Sequence, residues 1–373
     1  MPVVVYILGL AIFAQGTSEL MIAGLLPQIA TGLDVSIPTA GLLISGFALG
    51  MIVGAPSLTI ATRRMPRRVV LLAFLAVFIV LHVIGALAPD YTVLLVSRMA
   101  AAFVYAGFWA VASASIIDLV PPDARGRALS VVVGGLTVAT VVGLPAGTFL
   151  GERLGWRASF WAVAVLSALT MPAIYFTTRS MPAADTHIDL RAELRAMGSR
   201  PLLLAYLTTA LATGALLVTY SYLSPLLTHV THVGAGWVPG VLLLYGAGGF
   251  AGVTFGGRIA DRHPDALLVA GLVGVIAVSV VLALFTGSWV AMITVVFLLG
   301  LFGFGTNPAL NTRMFAVAGD ARMLAAGTNT SAFNVGIAVG PWLGGLAIGA
   351  GAGYGTLGWI GAALASCAIA TTV

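Results

Sequence analysis

Two charged side chains stand where lipid-facing segments rarely tolerate any, and they frame the chemistry open to this chain. Glu19 and Arg98 each interrupt a long apolar run in a sequence of 373 residues that is 60% hydrophobic and only 8% charged. A carboxylate so placed is costly unless it faces a polar cavity or takes up a proton, or is locked in a permanent hydrogen-bond network. The first setting describes a site that loads and unloads a proton, the second a structural acid. Gln15 lies one turn from Glu19 on the same helix face. Arg98 reads either as a partner of Glu19 or as a static brace between helices. His82, in a third apolar run, reads as a buried neutral histidine, with a proton relay as the sharper alternative.

Other residues have the chemistry of a binding surface. Ala102, Tyr105 and Trp109 follow Arg98 at helical spacing and share its face, where the two rings would stack on an aromatic ligand or simply pack. From the second half, Tyr220 and Tyr222, with Asn307 and Asn311 one turn apart, are candidate contacts; Pro308 makes a helix break an equal explanation for Asn307. His229 and His232 lack a third ligand, so no metal is expected. The lone Cys367 permits no internal disulfide and reads as a small core residue. All 17 basic residues are arginine, so no Walker lysine exists, ATP is not the energy source and no cofactor is expected. No nucleophile, base and orienter come together, which disfavours a membrane-bound enzyme.

The elements that must position these residues follow from composition. A mean hydropathy of +1.08 excludes a water-soluble globule. Twelve apolar stretches are each long enough to cross about 30 Å of hydrocarbon as helix: 3–26, 39–60, 69–88, 92–117, 129–150, 159–177, 202–227, 237–260, 266–286, 289–315, 327–349 and 353–373. The first has no basic leader or cleavage site and reads as a retained helix. With the spans alternating in direction, Glu19 and Arg98 fall at similar depth, close enough to pair. Fourteen arginines lie in or beside the even-numbered loops and two, Arg153 and Arg157, in an odd one. That bias predicts cytoplasmic even loops and termini, and it explains the basic charge without nucleic acid.

The polar stretch 179–200 predicts a cytoplasmic linker between an N-terminal bundle, 1–178, and a C-terminal one, 201–373. Within it, Leu190, Leu194 and Met197 fit a short amphipathic helix, and a solvated linker fits equally. The halves look duplicated. Gly143, Pro145 and Gly147 in span five recur as Gly340, Pro341 and Gly344 in span eleven, the prolines 196 positions apart. The turn starting at Thr59 recurs 198 positions later at Gly257. Duplicated hydrophobic halves point to a transporter with its substrate site between them. The matched glycines predict close helix contacts, and the prolines predict kinks.

Several motifs give this architecture a family likeness. The first-half turn Thr59-Ile60-Ala61-Thr62-Arg63-Arg64-Met65-Pro66-Arg67-Arg68 keeps a terminal basic pair, with Arg63 at the position of an acid. The second-half turn, Gly257 to Arg262, keeps Gly257, Asp261 and Arg262. With Arg98, the loop Pro122-Asp123-Ala124-Arg125-Gly126-Arg127 and the segment Gly155-Trp156-Arg157, these turns resemble the major facilitator superfamily, and the span-five array resembles its drug:proton antiporters. Phe13-Ala14-Gln15-Gly16-Thr17-Ser18-Glu19 and Pro38-Thr39-Ala40-Gly41 look like actinobacterial chloramphenicol exporters, and also like sugar-efflux relatives.

The resemblance implies an all-α integral membrane protein of twelve transmembrane helices in two pseudo-symmetric six-helix bundles, working as a monomer in the bacterial cytoplasmic membrane. It implies proton-coupled efflux of a small amphipathic drug, chloramphenicol first, with an arabinose-like sugar as the alternative. Glu19 and Arg98 would couple protons. Gln15, Tyr105, Trp109, Tyr220, Tyr222, Asn307 and Asn311 would contact substrate. Arg67, Arg68, Gly143, Pro145, Gly147, Asp261, Arg262, Gly340 and Pro341 would gate.

Overall fold

An apolar segment in lipid finds no water for its backbone groups and closes them on itself as helix. A computed structural model, describing residues 2–62, 64–120, 125–178, 199–260, 262–318 and 322–372, shows this outcome throughout. The first half holds α1 (Val3–Gly32), α2 (Ile37–Thr62), α3 (Arg67–Ala86) and α4 (Tyr91–Leu119). There follow α5 (Arg125–Val138), a π-helical turn (Ala139–Gly143), α6 (Leu144–Leu154) and α7 (Trp156–Thr177). The second half holds α8 (Arg200–Tyr220), α9 (Leu223–His229), α10 (Val238–Ala260), α11 (Pro264–Leu284), α12 (Trp289–Gly305), α13 (Asn307–Val317), α14 (Arg322–Gly349) and α15 (Thr356–Ala370). Eleven stretches of the described residues are long and apolar enough to span a membrane, with α5–α6, α8–α9 and α12–α13 each forming one span. The twelfth apolar stretch supplies α15, a shorter helix of 15 residues. Residues 179–198, with the expected amphipathic helix, and Asp261 lie outside the described residues.

Helix ends follow local chemistry. The Asp90 carboxylate accepts the Val93 N–H at 2.9 Å and starts α4. Gly155 separates α6 from α7 at φ +87°, a conformation that side chains disfavour.

The chain divides into two compact units, Met1–Val35 with Gly46–Thr186, and Ser36–Ser45 with His187–Val373. In the first, α1 packs on α5, α6 and α7, and α3 packs on α4 and α7. In the second, α8 packs on α14 and α15, α10 on α12, and α11 on α15. Outward-facing Val80, Val165 and Leu169 in the first unit, and Phe250, Val273 and Leu284 in the second, present apolar surface to lipid. Cys367 belongs to this outer surface and not to the core, because the inner face of α15 is taken by Gly361, Ala365 and Ala368.

Glycine contacts reveal the duplication in three dimensions. A methyl group at Gly50 would strike the Met99 carbonyl oxygen, and one at Gly54 that of Phe103. In the second unit Gly248 meets Phe297 and Gly252 meets Leu301 in the same way, each residue 198 positions after its counterpart. The proline offset of 196 is not the one that packing keeps. Gly135 lies on the Gly9 carbonyl and Gly336 on that of Ala210, a displacement of 201. Pro145 therefore comes ten residues after its reference glycine and Pro341 only five. The two prolines stand at different places in the repeat: Pro145 just after a π-helical turn, in the first turn of α6, and Pro341 inside the continuous helix α14.

These contacts leave no room for a side chain. Gly50→Val and Gly248→Val should each lower unfolding stability in detergent by about 2 kcal/mol or more. Gly240→Ala, where nothing lies within 4 Å, should be neutral or stabilising by up to about 1 kcal/mol. Thermal unfolding followed by circular dichroism checks both, and unchanged melting of Gly50→Val would refute the close contact.

Candidate functional site

The candidate proton-site residues of the first unit, Glu19, His82 and Arg98, lie on α1, α3 and α4. Arg98 is 1% exposed, and a guanidinium so buried must find acceptors. Its Nη1 donates to the Ser18 carbonyl oxygen at 2.9 Å and to Ser18 Oγ at 2.7 Å. Ser18 Oγ in turn lies 2.6 Å from His82 Nε2, and His82 Nδ1 lies 2.9 Å from the Phe78 carbonyl oxygen. The aromatic ring of Phe47 lies under the guanidinium, 4.3 Å from the Arg98 carbon, a cation–π contact worth about 2 kcal/mol when desolvated.

The expected ion pair is replaced by a hydrogen-bond chain. No Arg98 nitrogen comes within 4.0 Å of the Glu19 carboxylate; the guanidinium is spent on the residue before it, and its Nε and Nη2 are buried without acceptors. Glu19 itself is half-buried. The side chains of residues 18 and 19 leave an α-helix about 100° apart, and the arginine makes its hydrogen bonds to the backbone and hydroxyl of Ser18 while Glu19 lies within electrostatic reach. The arrangement sets a half-buried carboxylate near a fixed cation.

Gln15 is fully buried and donates to the Ala11 carbonyl at 3.3 Å, while its Oε1 has no partner. Tyr105 is buried amid Phe47, Phe78 and Trp109, the last ring edge-on at 6.3 Å. Trp109 is half-buried. His82 is clamped by Phe78 and Phe160, with ring centroids 4.0 and 5.9 Å away.

In the second unit Tyr220 stacks on Tyr245 at 4.5 Å, and Phe304 meets Tyr245 edge-on at 5.6 Å. Tyr222 is fully buried and donates to the Pro341 carbonyl at 2.8 Å. That bond gives Tyr222 a bracing role between α8–α9 and α14. Asn307 opens α13, and its carbonyl accepts from Asn311 Nδ2 at 3.0 Å. Asn311 Oδ1 accepts from Asn329, whose own Oδ1 accepts from Thr209 at 2.9 Å. Asn329 and Thr209 were not expected, although the polar run Thr328-Asn329-Thr330 inside span eleven is a visible signal.

The gating candidates fall at helix contacts and turns. Arg67 is buried at the start of α3, and Arg68 lies over the Tyr175 ring at 4.0 Å. Gly143 meets Thr17, Gly147 meets Met21 and Gly340 meets Gly214. Pro145 lies in the first turn of α6, and Arg262 is exposed. An unexpected ion pair joins Arg313 to Asp265 at 3.0 Å. Among the described residues no group of three potential metal ligands occurs.

Comparison with known proteins adds independent information. The Major Facilitator Superfamily model matches residues 8–322 and 228–373. A "Chloramphenicol resistance protein" of Streptomyces lividans is 44% identical over 91% of this chain and 88% of its own length. The "Inner membrane transport protein YdhP" of Escherichia coli K12 is 36% identical over 97% and 93%. A "Probable sugar efflux transporter" of Helicobacter pylori P12 is 28% identical over 98% and 93%. A crystal structure of a bacterial homologue of the human lysosomal transporter Spinster, inward-facing and unoccupied, aligns with TM-score 0.76 at 19% identity, covering 99% of this chain and 93% of that one.

If Tyr222 braces helices, Tyr222→Phe should cost about 1 kcal/mol of stability and leave substrate KM unchanged. A raised KM at unchanged melting temperature would return Tyr222 to the substrate surface; unfolding and transport assays on the same preparation separate the two.

Proposed function

The chain belongs to the major facilitator superfamily, as a multi-pass membrane transporter of small molecules and not an enzyme, and we propose that it expels an amphipathic drug, chloramphenicol first, in exchange for protons. The observation that carries the drug reading is the 44% identity, over 91% of the chain, with the Streptomyces chloramphenicol resistance protein. Glu19 supports the proton reading: a half-buried carboxylate inside a membrane span, with the neighbouring guanidinium docked on Ser18, is a place to hold a proton. Proton binding at Glu19 on one side of the membrane and release on the other would alternate with drug binding, and the proton gradient would supply the work.

Each unit carries its own proposed substrate contacts, Tyr105 and Trp109 in the first and Tyr220 with the Asn307 and Asn311 amides in the second, since rings stack on an aromatic drug and amides fix its polar groups. Arginine distribution favours cytoplasmic termini. The protein works as a monomer on this reading. A sugar substrate is the second reading, motivated by the 28% identity with the Helicobacter sugar efflux protein.

In acid-loaded everted vesicles, chloramphenicol should drive proton release through the unmodified protein, and Glu19→Gln at equal membrane abundance should reduce release to background. Equal release in both would move coupling to another residue. Uphill accumulation of labelled arabinose without drug-driven release would establish the sugar reading instead.

A further inference from the structure

The hydrogen bonds around Ser18 have a fixed direction. The Phe78 carbonyl oxygen can only accept, so His82 Nδ1 carries a hydrogen. In the neutral ring Nε2 is then a bare acceptor, and the Ser18 hydroxyl donates to it across 2.6 Å. With its hydrogen committed there, Ser18 Oγ turns its lone pairs to Arg98 Nη1. The chain runs from Arg98 through Ser18 and His82 to the backbone of α3, and the ring cannot turn away because Phe78 and Phe160 hold it.

We infer that His82 is a positioning residue for the proton site: by orienting the Ser18 hydroxyl it keeps Arg98 docked on Ser18 and away from the Glu19 carboxylate. The vacant Nε and Nη2 lie on one edge of the guanidinium, the geometry that takes a carboxylate through two parallel hydrogen bonds. Without His82 the Ser18 hydroxyl is free to turn to its own helix backbone, Arg98 loses an anchor, and that edge is released to Glu19. An ion pair there favours the charged carboxylate. Among the described residues, the charged and titratable groups acting on this cluster are Glu19 from α1, His82 from α3, and Arg98 and Tyr105 from α4. The inference rests on Glu19 as the proton site.

The test reads Glu19 directly. Purified protein carrying isotope-labelled glutamate, in lipid bilayers, gives an infrared carboxyl band that reports the pH midpoint of Glu19 protonation, with Glu19→Gln as the assignment control. His82→Leu should move this midpoint to lower pH by about one unit, the size expected for a new close opposite charge. His82→Gln, which offers an amide oxygen to Ser18, should stay near the unmodified value. Ser18→Ala should shift as His82→Leu does, and the double variant should shift no further. A purely structural histidine would change melting temperature and leave the midpoint in place, and that result in His82→Leu, or additive shifts in the double variant, would overturn the inference. Should His82→Leu not fold, Ser18→Ala carries the same test. The outcome separates from that of the drug:proton reading, because the band shifts even where Glu19→Gln leaves drug-driven proton release intact.

Discussion

A guanidinium enclosed in an apolar bundle organises the first unit. Removing a charge from water costs several kcal/mol even after relaxation, so every element around Arg98 must contribute to its comfort. Helix α1 gives a carbonyl and a hydroxyl, α2 gives the Phe47 ring, and α3 fixes the hydroxyl through His82. Such bonds demand close backbones, and the small residues supply them. Gly50 and Gly54 bring α2 against α4, and Gly16 admits the Tyr105 hydroxyl beside α1. Packing and electrostatics thus fix the same helices in the same register.

The second unit repeats the packing without repeating the charge. At the displacement of 198 that the α2–α4 contact keeps, Phe47 corresponds to Tyr245 and Arg98 to Val296. At the displacement of 201 kept by the α1–α5 contact, Glu19 corresponds to Tyr220. In place of a cation over an aromatic ring, the second unit has Tyr220 stacked on Tyr245. One scaffold therefore carries an ionic site in its first copy and an aromatic, uncharged one in its second.

Much of this was legible in the residues, and the parts that were not share a cause. Glu19 and Arg98 stood out because a charge in an apolar run has few innocent explanations. Their surroundings did not, because Ser18 and His82 are 64 positions apart and Ser18 and Arg98 are 80 apart. Depth along a span can be read from loop positions. The rotation that chooses Ser18 over Glu19 is about 100° per residue, and it depends on how whole helices pack. The duplication was visible, yet proline matching gave the wrong register because Pro145 and Pro341 do not occupy equivalent positions, while the backbone contacts of the glycines do. Cys367 misled for a related reason: in lipid a small apolar residue faces outward as readily as inward.

On the proposed drug:proton reading, asymmetry between the copies bears on how two ligands can be linked. A charged carboxylate beside a buried cation responds to a proton, whereas stacked tyrosines respond to the shape and polarizability of an organic molecule. Coupling requires only that each ligand prefer one conformation over the other, and the effect is reciprocal by thermodynamic necessity. A proton on Glu19 alters the local charge by one unit inside an apolar bundle, where Coulomb energies run to several kcal/mol at short range. That magnitude exceeds the few kcal/mol separating typical conformers. On that reading a single proton in the first unit would carry enough electrostatic energy to bias a conformational equilibrium, provided Arg98 does not neutralise the carboxylate beforehand. Docking the arginine on Ser18 meets that condition while still satisfying part of its hydrogen-bonding need.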